Sequence, residues 1–412
     1  MNIEHEAGIR ARFSHLERPH GAIKVSPSDF MVSEIPEELP RRNDGKFLIL
    51  RVRLTNFDTT VFVNHLSRKL GISRKRVTFS GTKDKRAVTE QYFCLNTQNS
   101  DVPNLGDGAE ILESFRTDKM LRLGDLLGNR FSIRISTEAD QGEALNKSVR
   151  FLLDHGGFPN FYGPQRFGTL RPITQRVGRL ILQKRMEDAV VEYLCDPEFD
   201  KEQYRMDFFN HRDAKKALKE FPMHLRHERS ILGKIAETGK ISEGLSGLPL
   251  ELRMMFIHAY QSYIFNVMLS ERILEGRDMY QVEVGDVCYS VDGYFNAEKV
   301  PVEVTNFNFQ KILDLSRSDK IRATIPIAGY ETRFASDREK NATLDLLESD
   351  GLSLQDFKLR DDRDLSSKGE RRIISCKPLG FTVTSRNVIE FSLGKGIYAT
   401  SLLREIIREN SD

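Results

Sequence analysis

Residues 47–54 (FLILRVRL) place Leu48, Leu50, Val52 and Leu54 on one side of an extended chain, which predicts a strand. A helix should follow, capped by Asp58 or Thr59, because Phe62, Leu66 and Leu70 recur at helical spacing. Residues 77–79 read as a short strand entering a Ser-Gly turn, and the aromatics of 91–95 (QYFCL) favour another strand. Residues 130–136 alternate cleanly, with Phe131, Ile133 and Ile135 on one side and Arg130, Ser132 and Arg134 on the other. The middle of the chain changes period. Residues 174–195 and 212–237 carry helical patterns, and 250–274 is apolar nearly all round, as in a buried helix. Residues 284–330 read as strands, and the charged stretch 360–372 reads as a linker. Two strands, 381–384 and 388–393, should form a hairpin around Ser385, Arg386 and Asn387. A last helix is expected over 400–408, with Arg404 and Arg408 on its outer face. The pattern is β-rich at both ends and helical between, as if one domain were interrupted and then completed by the C-terminal segment.

A chain of 412 residues is long enough for two or three domains with proper cores. Its 39% hydrophobic and 30% charged residues describe a globular protein. The four cysteines, Cys94, Cys195, Cys288 and Cys376, lie far apart, which excludes a disulfide scaffold and fits a reducing compartment. The longest uncharged run, 254–270, contains His258, Gln261, Ser262 and Asn266 and is too polar to span a membrane. The first residues carry acids and no apolar stretch, so the expected location is cytoplasmic. No heptad or apolar stripe calls for a second copy, and a monomer is expected.

Net charge is only +2, but it is unevenly spread. Residues 68–86 hold eight cations, Arg68, Lys69, Arg74, Lys75, Arg76, Lys83, Lys85 and Arg86, with a single acid, Asp84. Such a stripe suits a polyphosphate partner, although a solvated charged face has the same composition. Asp84 is the unusual member. Cations around a carboxylate favour its charged form, which serves as nucleophile or base, and they also draw an anionic substrate towards it. The plain alternative is a surface aspartate that balances a basic loop. Phosphate-loop, dinucleotide, nucleophile-elbow and HExxH motifs are all missing from the sequence. His224 and His227 lack an acid or cysteine at ligand spacing, so no metal site is expected.

Residues 81–91 (GTKDKRAVTEQ) closely resemble the signature of the TruD family of tRNA pseudouridine synthases. Residues 159–168 (PNFYGPQRFG), 121–131 (LRLGDLLGNRF) and 398–405 (YATSLLRE) resemble three further blocks of that family. Residues 28–34 (SDFMVSE) are similar to its N-terminal strand, and Lys24 to the lysine just before it. These blocks fall in family order along nearly the whole chain. The longer middle, with 258–266 (HAYQSYIFN) and 325–330 (IPIAGY), is closer to archaeal and eukaryotic members.

The resemblance implies an α+β fold: a pseudouridine synthase catalytic domain on a mixed, mainly antiparallel sheet, plus a largely helical insertion domain of TruD type. The implied boundaries are 1–167 and 369–412 for the catalytic domain and 168–368 for the insertion, with RNA in the cleft between them. The implied activity turns a uridine of tRNA into its C-glycoside isomer, by default at position 13, with no cofactor and no metal; other RNAs are not excluded. Asp84 then matches the catalytic aspartate and Arg404 an arginine that pairs with it. Phe131 matches the aromatic that stacks on a flipped-out uracil, although its place in an alternating strand equally suits plain core. Asn129 would share that face and bond the base edge or the Asp84 loop. Asn160, Tyr162, Gln165 and Arg166 are expected along the cleft, and Lys24, Lys83, Lys85 and Arg86 on phosphates. Two rivals are weighed. A non-catalytic RNA-binding protein or chaperone would gain nothing from Asp84. A glycoside hydrolase usually needs two flanking carboxylates, and Glu90, the only other acid nearby in sequence, is set apart by an extended segment.

Overall fold

The computed structural model describes residues 3–99, 104–137, 140–360, 362–384 and 387–409. Its contacts divide the chain into two units. One comprises Ser14–Phe158, Ser290–Lys299 and Cys376–Asp412; the other comprises Met1–Phe13, Pro159–Tyr289 and Val300–Ser375. The divisions at 158/159 and 375/376 differ from the expected 167/168 and 368/369. The physical reason is burial: Phe161 and Phe167 are fully enclosed in the core of the second unit, so the segment bearing them packs there. The N-terminal Ala7, Ile9 and Ala11 join the same core.

The first unit is built on an eight-stranded sheet. Its strands are β1 (Phe30–Pro36), β2 (Phe47–Thr55), β3 (Val77–Phe79), β4 (Val88–Leu95), β5 (Ala109–Thr117), β6 (Leu126–Arg134), β7 (Leu379–Thr384) and β8 (Val388–Gly394). The order is β7-β8-β6-β1-β4-β2-β5, with β3 added on β4. Only β1 and β4 run parallel; the other pairs are antiparallel. The C-terminal hairpin therefore supplies two strands beside β6, with Phe391 paired to Phe131 and Leu393 to Asn129. The expected turn residues Ser385 and Arg386 lie outside the described residues.

The helix Thr59–Lys69 covers one sheet face. Asp58 caps it by accepting the Val61 N–H at 2.9 Å. Phe62, Val63 and Leu66 pack on Leu50, Val52, Leu54, Phe93 and Leu95, the alternate residues of β2 and β4. Strand β4 is shared along its far edge. β1 pairs with Val88–Glu90 and β3 with Phe93–Leu95. Between those two pairings the Tyr92 N–H donates to the Glu34 carboxylate at 2.8 Å. The chain from 80 to 87, which includes Asp84, runs outside the strands between β3 and β4.

The second unit centres on the helix Leu250–Leu274, whose Phe256, Ile257, Tyr260, Ile264, Phe265 and Leu269 are buried. Gly178, on the helix Thr174–Leu182, lets the two helices come close: a methyl group there would stand 2.0 Å from the Phe256 carbonyl oxygen. Five expectations are corrected. The pattern over 174–195 is two helices, Thr174–Leu182 and Met186–Leu194, parted where Lys184 adopts φ 61°. The pattern over 212–237 is likewise two, Ala214–Glu220 and Arg226–Thr238, because Pro222 cannot continue a helix. The stretch 284–330 includes a helix, Phe309–Arg317, and the charged stretch ends in a strand, Glu370–Ile373, paired with Ile321–Ile327. The last helix ends at Ile406, so Arg408 is not on it. Among the described residues no helix is long and apolar enough to cross a membrane.

Candidate active site

Asp84 sits on the loop between β3 and β4, with its side chain 33% exposed. The Lys24 ammonium donates to its carboxylate at 2.6 Å. Lys24 adopts φ 57° and lies over the Phe30 ring, 4.1 Å from its centre. Phe30 meets Phe131 edge to face at 6.2 Å, and Phe131 stacks on Phe391 at 5.2 Å. A continuous run of contacts thus leads from the C-terminal hairpin through Phe131 and Phe30 to Lys24 and Asp84. Phe131 itself is buried, 6% exposed, with its ring on the same sheet face as Asn129. Asn129 pairs with Glu34 across β6 and β1, and its Oδ1 is buried without a hydrogen-bond partner.

Lys83 departs from its expected place among the phosphate contacts. Its side chain, 8% exposed, turns into the protein and donates to Glu34 Oε1 at 2.6 Å. An ammonium enclosed in this way is not presented to a phosphate. The Lys83 backbone N–H donates to Thr59 Oγ1 at 3.1 Å, and the Thr59 hydroxyl donates to Gln91 at 3.2 Å. Lys85 and Arg86 are exposed, as are Arg68, Lys69, Arg74, Lys75 and Arg76. Arg404 is mostly buried, and its guanidinium donates to the enclosed carboxylate of Glu405 at 2.5 Å. Glu405 also accepts the Ser14 N–H at 2.9 Å, and Arg18 holds the carbonyls of Arg404 and Ile407.

Glu90 is engaged elsewhere. Strand alternation puts it on the sheet face opposite Gln91, where Arg51 and Arg53 donate to it at 2.5 and 2.8 Å. Burial alone would raise its carboxyl, but the hydrogen bonds and charges of Arg53 and Arg51 prevail and hold it below the usual range. A two-carboxylate hydrolytic pair of Asp84 and Glu90 finds no support in this arrangement.

Asn160, Tyr162, Gln165 and Arg166 belong to the second unit. Asn160 is buried and turned inward: its amide donates to the Ile373 carbonyl at 3.0 Å and accepts from Arg372 at 2.6 Å. The Arg372 guanidinium lies 4.3 Å from the Tyr162 ring centre, and Arg166 lies 6.0 Å from it. Asn266 brackets the Tyr162 backbone, accepting its N–H and donating to its carbonyl, both at 2.9 Å. Burial, and then the charge of Arg166, lower the proton affinity of His258. Gln165 is exposed. Among the described residues no group of three His, Cys, Asp or Glu side chains is placed to hold a metal ion.

Known proteins resemble this chain over nearly its whole length. The family model of tRNA pseudouridine synthase D (TruD) matches residues 6–406. A protein of Picrophilus torridus described as "Probable tRNA pseudouridine synthase D" is 44% identical over 405 residues, which covers 98% of this chain and 97% of the relative. One of the same description from Archaeoglobus fulgidus is 38% identical over 423 residues, covering 98% and 99%. The crystal structure of a Methanosarcina mazei protein described as the "Putative tRNA pseudouridine synthase D (TruD)" matches with a TM-score of 0.78 and 31% identity, over 98% of this chain and 97% of that one. Fold and sequence together define a pseudouridine synthase, an isomerase of RNA. Within that class, the chain belongs to the tRNA pseudouridine synthase D (TruD) family.

Proposed function

We propose that this protein isomerises one uridine of tRNA to pseudouridine, by default at position 13, with Asp84 as the catalytic carboxylate. One observation carries the assignment. Asp84 is partly exposed on a basic loop and is aimed by Lys24, which also packs on the aromatic run containing Phe131. The reaction breaks N1–C1′, turns the uracil, joins C5 to C1′, and moves one proton from C5 to N1, so composition is unchanged. Two routes use a single carboxylate. In one, Asp84 attacks C1′ and is displaced by C5; in the other, it removes and later returns the C2′ proton. Both need the charged carboxylate with one side open.

The target base must leave its stack to meet Asp84. Phe131 is assigned the apolar wall against the uracil, supported by its place beside Phe30. Asn129 is assigned the base edge. Its buried, unpartnered Oδ1 suits the N3–H donor of uracil, a proton that cytosine lacks at that position. Lys85 and Arg86 are assigned to phosphates, and Tyr162, Gln165 and Arg166 to RNA, with Asn160 positioning Arg372 against Tyr162. Arg404, whose guanidinium also donates to Glu405, is assigned the pairing that keeps the Asp84 carboxylate charged and aimed.

The test is site-resolved. Unmodified tRNA transcripts are incubated with purified protein, treated with carbodiimide and read by primer extension, with Asp84→Asn in parallel. One new stop with wild type only, at equal RNA binding, is the expected result. A stop that persists with Asp84→Asn refutes the role of Asp84, and a stop at another uridine refutes the default target. Binding with no stop on any tRNA favours a non-catalytic RNA-binding protein.

A further inference from the structure

We propose that the buried Glu34–Lys83 ion pair is the positioning device of this site, setting the rate through the Asp84 loop without contacting RNA. The inference rests on Asp84 being the catalytic carboxylate. Lys83 is held at both ends, directly by two elements and through them by a third. Its ammonium goes to Glu34 on β1, and its backbone N–H to Thr59 at the start of the helix Thr59–Lys69. Glu34 is held in turn by the Tyr92 N–H of β4, and Thr59 by Gln91 of the same strand. The next residue is Asp84, on a segment with no strand or helix of its own. Fixing Lys83 therefore fixes where the Asp84 carboxylate emerges and meets Lys24.

Stability does not account for this arrangement. The two side chains are 8% and 1% exposed, and an enclosed ion pair commonly gives no more stability than apolar groups of equal size. It does give direction, because a buried ammonium and carboxylate satisfy one another in few geometries. Directional control matters here, since a misplacement of about 1 Å at a reacting group can cost about 100-fold in rate.

Glu34→Gln, Lys83→Met, the double variant and Asp84→Asn are compared for kcat and KM on a tRNA transcript, RNA affinity and thermal midpoint. Each single change leaves one buried charge alone and should lower the midpoint, whereas the double variant leaves none and should regain it. Activity should separate from stability: kcat falls about 100-fold in both singles and stays low in the double, with tRNA affinity unchanged. Recovery of kcat together with the midpoint in the double variant would overturn the proposal, because the pair would then be structural only. Weakened RNA binding with intact kcat would also overturn it and return Lys83 to the phosphate contacts. If Asp84→Asn stays active, the Asp84 assignment itself fails; if Asp84→Asn is dead while the double variant is active, only the present inference fails.

Discussion

Replacing Lys24 by methionine removes an ammonium 2.6 Å from Asp84 while keeping the length of the side chain. A hydrogen bond to a charged group contributes about 1.5–3 kcal/mol. Asp84 is 33% exposed, so water screens part of this and the lower figure applies. At about 1.4 kcal/mol per factor of ten, kcat should fall roughly tenfold. The lost contact with Phe30, about 0.5–1 kcal/mol, falls on stability instead. The left-handed backbone at Lys24 is the same in both proteins and cancels. Single-turnover conversion of a tRNA transcript with saturating enzyme reads the chemical step, and filter binding reads affinity. An unchanged rate with weaker, less salt-dependent binding would refute the reasoning and make Lys24 a phosphate contact, as its charge alone suggests.

Two more predictions concern stability. Gly178→Ala forces a methyl group against the Phe256 carbonyl, so the helices Thr174–Leu182 and Leu250–Leu274 must part. The expected cost is about 1–3 kcal/mol, read as a lower thermal midpoint, and an unchanged midpoint counts against that close crossing. Glu90 has a folded value below the usual carboxylate range, so its stabilising effect is complete above about pH 4.3 and disappears as pH falls through the lowered value. Denaturant unfolding from pH 6 to pH 2 should show wild type losing more stability than Glu90→Gln; parallel curves would contradict the Arg51–Glu90–Arg53 reading.

The elements legible in the sequence were those whose partners leave a periodic mark. Residues 388–393 and the second half of 47–54 alternate because one face meets the core, 47–50 is a continuous apolar run because both its faces are covered, and 250–274 is apolar all round because it is surrounded. Glu370–Ile373 left no such mark: ERRI is held in its sheet by pairing with Ile321–Ile327, which no local pattern reports. At the site, charge pattern alone isolated Asp84 but could not tell which way a lysine stem points. Lys83 therefore read as exposed and Lys24 as a phosphate ligand. Glu34, Thr59 and Gln91 were passed over. A signal for two of them was present: Glu34 shares the inward parity of Phe30 and Val32, and Gln91 that of Phe93 and Leu95, so each is a polar side chain where strand alternation calls for an apolar one.

The C-terminal hairpin lies beside β6, and Ile133 pairs with Ile389 across more than half the chain. A ribosome therefore releases β1 to β6 long before the strand that completes them. Until then β6 presents an open edge, and Phe131 lacks the ring of Phe391 beneath it. Closing so long a loop slows folding more than it lowers final stability. The nascent chain thus carries Asp84 and the basic loop early, but the Phe30–Phe131–Phe391 run is complete only once the C-terminal hairpin has emerged. A fragment ending before β7 would keep Asp84 and its neighbouring cations but would lack the Phe391 ring that stacks on Phe131.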